Sequence, residues 1–214
     1  MTMTTPTPEA LSQGQPQAAR LALFATALFL LLGSASLWLG IGEGAIMLWG
    51  FGAVSLLQVP LSLVVAGRLR DGLGNKGLDR ERRTLRISGH LLRFLALGIV
   101  LASAAALFGQ RSPETTTTLL GVAIFAVVLC LSLWLAKRGP TDPHPTLALD
   151  AARARAMAEM AAILVAGVIL GRWFPWADAI TGIILALRIF FEGRTLMQAT
   201  TIQAACGGCG SGCG

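Results

Sequence analysis

The chain is 214 residues long, 54% of them hydrophobic and 13% charged, against the roughly 25% charged residues of an ordinary soluble domain. With a mean hydropathy of +0.68, this balance excludes a soluble globular fold, and membrane spans of about 20 residues each leave little room for a second domain. The net charge of +6 does not point to nucleic acid, because the basic residues lie between apolar runs and the chain has no tyrosine to stack on bases; the excess reads as a topology signal instead.

Residues 1–19 form a Thr/Pro/Gln-rich tract whose one charged residue is Glu9. It lacks the positive start of a secretory signal and is expected to be a disordered cytoplasmic tail. Apolar runs long enough to span follow at Leu21–Gly40, Ala45–Ala66, Leu91–Phe108, Leu119–Ala136, Ala156–Gly171 and Ala177–Ala199. They predict a six-helix transmembrane domain over residues 20–200. Pro60, inside the second run, removes a backbone donor and is expected to bend that helix, a change that membrane helices tolerate. A Cys/Gly-rich tail, residues 201–214, completes the chain.

Loop charge sets the orientation. The 67–89 segment carries Arg68, Arg70, Lys76, Arg80, Arg82, Arg83 and Arg86, and the 137–155 segment carries Lys137, Arg138, Arg153 and Arg155. Both are therefore expected on the cytoplasmic side. The intervening turns hold only Arg111 and Arg172, and Trp38, Trp49, Trp173 and Trp176 cluster at those outward ends, where amphipathic rings prefer the headgroup level. The fold class read from the sequence is an all-α membrane protein with six transmembrane helices and both termini cytoplasmic, placed in the lipid bilayer of a cell membrane, the bacterial inner membrane.

Three segments carry a family resemblance. They are "ALDAARARAMAEMAAI" from Ala148, the turn "RWFPWADAI" from Arg172, and "TGIILALRIFFEGRTL" from Thr181; "GHLLRFLALGIVL" from Gly89 adds a fourth. Together they resemble the transmembrane domain of the cation diffusion facilitator (cation efflux) family, which exchanges divalent metals such as zinc for protons. The resemblance implies six helices with both ends inside, a homodimer, and a tetrahedral metal site built from pairs of carboxylate or His ligands, four residues apart, on helices two and five. Here Arg155 and Glu159 fall at the helix-five positions, and Gly52 and Leu56 at the helix-two positions, with Gln58 nearby. Arginine has no lone pair to offer a cation, so that ligand set is expected to be missing. The family's C-terminal cytoplasmic domain is likewise expected to be missing, because the sequence stops soon after the sixth run.

The polar residues left in the spans each have two readings. Glu159 and Arg155 share a helix face at four-residue spacing, either as a functional pair in the transport path or as a snorkelling arginine with its neutralising partner. Asp178, after Pro175 and Trp176, is either a further polar group on that path or the cap of helix six. Glu43, in a Gly-rich outer turn, reads as a solvated carboxylate, Arg188 and Glu192 as a structural pair, and His90 as interfacial; His144 is assigned no role. In the tail, Cys206, Cys209 and Cys213 on a glycine tether would be reduced thiols in the cytoplasm. Their spacing suits zinc or copper(I), with S-acylation and a redox pair as competing readings. Cys130, among apolar neighbours, is expected to behave as a small apolar residue.

Two functions follow as expectations. One is transport or handling of divalent or soft metal ions across the membrane. The other is a non-transporting membrane scaffold whose cysteine tail buffers metal or docks a partner. No Ser/His/Asp or His/Glu constellation suggests an enzyme.

Overall fold

Six helices, and no strand, make up the described residues of the computed structural model, which are 8–71, 75–109, 117–137 and 145–206. They are α1 (Pro8–Gly42), α2 (Ile46–Asp71), α3 (Asn75–Gly109), α4 (Thr117–Lys137), α5 (Pro145–Leu170) and α6 (Ala177–Cys206). Each covers one of the apolar runs to within a residue, and most extend well beyond it. The basic stretch expected as a loop over 67–89 is helical apart from residues 72–74, which lie outside the description. Its Arg, Leu, Lys and Glu residues are strong helix formers, so charge ends the apolar run without ending the helix. The helix of α1 likewise reaches back to Pro8, into the tract expected to be disordered, with proline at the first helical position where its missing N–H costs nothing.

Among the described residues, four helical segments are long and apolar enough to cross a membrane: Arg20–Gly42, Ile46–Val64, Arg82–Gly109 and Thr117–Lys137. The charged residues of α5 and α6 set those two helices apart.

Packing follows small residues. α1 and α2 form a tight antiparallel hairpin, closed by Gly44 in the left-handed conformation (φ 69°), where the Ala45 amide donates to the Gly40 carbonyl at 2.9 Å. Glycine at such a helix end avoids the Cβ clash. Along the hairpin the backbones nearly touch: a methyl group added at Gly52 would lie 2.6 Å from the Leu37 nitrogen and 2.8 Å from the Gly33 oxygen. Close approach at small residues is the usual source of helix association where apolar burial gives no advantage over lipid. α2 also packs on α3, α5 and α6, so it is the central helix. Its Met47, Leu48, Phe51 and Leu61 are fully buried with Met157, Met160 and Leu164 of α5 and Leu185 and Ile189 of α6.

α3 and α6 form a second antiparallel pair. At one end Gly89 faces Gly193, where added methyl groups would meet the opposite carbonyl oxygens at 3.0 and 2.9 Å; at the other Gly182 faces Ser103. The α5–α6 turn lies beside the start of α2, because Asp178 bonds to the amides of Ile46 and Met47. The α1–α2 and α5–α6 turns, both expected to face outward, thus sit at one end of the bundle, together with the exposed Trp38, Trp173 and Trp176.

Candidate functional site

Towards the opposite end, α2, α5 and α6 bring together a polar cluster that is buried at Gln58, Arg153 and Glu192 and open at Glu159 and Arg155. α2 contributes a stripe of Ser55, Gln58 and Ser62, all buried, at the three- and four-residue spacing that puts side chains on one helix face. Ser55 satisfies itself on the Phe51 carbonyl at 2.9 Å. The Gln58 side-chain oxygen accepts a hydrogen bond from Nη2 of Arg153, a residue only 3% exposed, while the Gln58 side-chain nitrogen is buried without a partner.

Glu159 sits one turn and a half further along α5, and both of its oxygens are occupied. Oε1 accepts from Nε of Arg155 at 3.0 Å; Oε2 accepts from Nε and Nη2 of Arg188, on α6, at 3.0 and 2.6 Å. The fork of Arg188 reaches on to Glu192, its Nη1 lying 3.5 Å from Oε2. Glu192 is buried and lies within electrostatic reach of Arg188 and Arg153. Among the described residues, the guanidiniums of Arg153, Arg155 and Arg188 thus face the carboxylates of Glu159 and Glu192. Such pairing is what permits ionised groups where they are buried, since an isolated buried charge is expensive.

Of the residues singled out by sequence, Glu159 and Arg155 come together here, and Arg188 joins them from a different helix. Asp178 does not. It begins α6, ten residues before Arg188, a separation of about 15 Å at helical rise. Its carboxylate accepts from the Ile46 amide at 3.1 Å and the Met47 amide at 3.4 Å. The cap expected on α6 is therefore placed on α2, whose first amides lack intrahelical partners. Cys206 is the last residue of α6, and Cys209 and Cys213 lie outside the described residues. Cys130 is buried in α4.

Sequence reasoning missed the burial of Arg153, which it counted among the cytoplasmic loop charges. The available signal was Gln58, the one amide side chain in the second apolar run, which needs a polar partner once buried.

Residues 86–201 match the model of the cation efflux transmembrane domain family. The chain belongs to the cation efflux family. No curated protein matches it. The matched region opens inside α3 and runs through α6, so the cluster's α5 and α6 members lie within the cation efflux domain while Gln58 of α2 precedes it. Among the described residues no group of three or more His, Cys, Asp or Glu side chains is placed to hold a metal ion. The donor set does not suit a divalent cation: the one partly exposed carboxylate of the cluster, Glu159, already has a guanidinium on each oxygen.

Proposed function

We propose that this cation efflux protein crosses the membrane six times with both termini cytoplasmic, and that arginine takes the place of a transported ion in its bundle. In this reading α5 and α6 span despite their charges because those charges neutralise one another against α2. The chain is then a membrane scaffold rather than an enzyme or a pump for divalent metal. Any metal it handles, zinc or copper(I), is collected by Cys206, Cys209 and Cys213 on the cytoplasmic side. The observation that carries this reading is the double occupancy of Glu159 by Arg155 and Arg188. A divalent ion approaching Glu159 would meet two fixed cations that cannot deprotonate.

Transport is the second reading, favoured by the family match itself. It requires Arg188 to leave Glu159 when an ion arrives.

Metal uptake by proteoliposomes holding the intact protein separates the two. The expected result is no zinc or copper(I) flux in the wild type or in Glu159→Ala, with metal binding lost when Cys206, Cys209 and Cys213 are all changed to serine. Flux that disappears in Glu159→Ala and survives the triple serine change would establish transport instead.

A further inference from the structure

A groove of about 500 Å³ opens on the flank of the α3–α6 pair, lined on α3 by His90, Arg93, Phe94, Leu97 and Val100 and on α6 by Leu187 and Phe190 among others. Its volume falls within the roughly 300–1,000 Å³ of small-molecule sites. The groove begins just past the contact of Gly89 with Gly193, which holds the two helices together at the end that the proposed topology makes cytoplasmic. From His90 to Val100 is ten residues, about 15 Å of helical rise, or half of a hydrocarbon core roughly 30 Å thick. The groove therefore matches one leaflet in length.

Its two ends differ in chemistry. Arg86, His90, Arg93, Leu97 and Val100 recur at four- and three-residue spacing along α3, one stripe that passes from cationic to apolar as it enters the bilayer. Arg194, Phe190 and Leu187 repeat that order on α6. Arg93 reaches across the mouth between the helices. Its guanidinium lies 4.9 Å from the centre of the Phe190 ring and 3.6 Å from the Met197 sulfur, and its Nε is buried with no hydrogen-bond partner. A ring face and a thioether are weak partners for a cation. Among the described residues none of Arg86, Arg93 and Arg194 is paired with a carboxylate, in contrast to Arg155 and Arg188 a short distance away. Among the described residues the mouth is cationic without a facing carboxylate, and the rest of the groove is lined by apolar side chains.

We infer that this groove binds an anionic phospholipid of the cytoplasmic leaflet, with the phosphate on Arg93 between Arg86 and Arg194 and one acyl chain along Leu97, Val100 and Leu187. Arginine recognises phosphate by paired hydrogen bonds, and basic pockets between membrane helices on the cytoplasmic side are suited to such headgroups. The choice of leaflet rests on the proposed topology, and the groove itself does not use Glu159.

The test uses the full chain purified in detergent and titrated with phosphatidylglycerol or phosphatidylcholine of identical acyl chains, read by native mass spectrometry and thermal shift. The expected result is a preference of about tenfold or more for phosphatidylglycerol, reduced to near parity in Arg93→Gln and partly kept in Arg93→Lys. Leu97→Trp, which fills the groove and leaves the cations alone, lowers retention of both lipids. Equal retention of the two lipids by the wild type overturns the inference. So does an equal thermal shift from inorganic phosphate alone, which would make the mouth a soluble-anion site. Disulfide trapping of Leu97→Cys between two copies, at the same yield with and without phosphatidylglycerol, would assign the face to a second copy of the chain.

Discussion

Taking the guanidinium away from Arg188 strips Glu159 of two hydrogen bonds and leaves buried Glu192 without its nearest cation. Leaving a buried polar group without its partner costs roughly 1–3 kcal/mol, and the part that belongs to Glu159 is smaller because that side chain is 40% exposed and screened. Arg188→Leu is therefore expected to lower stability by about 1–3 kcal/mol in denaturant unfolding of the purified protein. Arg188→Leu with Glu192→Leu should recover much of the loss, since replacing a buried ion pair by apolar groups is often close to neutral. An unchanged unfolding midpoint in the single variant would show that the pair carries no weight. At this scale the sequence showed the helix-local half of the site: the four-residue spacings gave Arg155 with Glu159 and Arg188 with Glu192. It did not show Arg188 on Glu159, 29 residues apart, or Asp178 on Ile46, 132 apart. Those contacts depend on which helices are neighbours, and no local spacing encodes that.

Between helices, the α1–α2 hairpin depends on glycine where backbones meet. Gly52→Leu must displace the backbones of Leu37 and Gly33, so the variant is expected to lose folded protein, seen as a collapsed monodisperse yield on size exclusion in detergent. Gly98→Ala, at a position with nothing within 4 Å, should elute like the wild type. If both behave alike, the close approach is not what holds the hairpin. The number of helices was legible because each apolar run is a long unbroken stretch. Their ends were less so, because hydropathy reports the solvent while helix propensity reports the backbone. α3 begins at Asn75 although its apolar run starts at Leu91, and α5 begins at Pro145 although its run starts at Ala156.

For the molecule as a whole, the proposed six-span topology assigns the α1–α2 and α5–α6 turns to one side and the basic N-terminal part of α3 to the other. With Cys206, Cys209 and Cys213 changed to serine, Cys130 remains buried and serves as a silent background. A membrane-impermeant maleimide should then label Glu43→Cys in intact cells, and label Arg83→Cys only after permeabilisation; the reverse pattern would invert the topology, and labelling of both from outside would break it. Charge counting proposes this sidedness from the basic residues of 67–89 and 137–155 alone. The arrangement of helices around α2, and the pairing of α3 with α6, are properties of surfaces, and the sequence pattern carried them only in scattered glycines.

The bond from Asp178 to the first amides of α2 also bears on how the bundle could move. It ties the first turn of α6 to the first turn of α2, while the arginine cluster ties the same two helices, through α5, nearer the other end. Any rocking of α6 against α2 must either turn about the Asp178 latch as a fulcrum or release it. In the first case the end beside the α1–α2 turn stays closed while the opposite end swings. In the second, two capping hydrogen bonds break before either side can open.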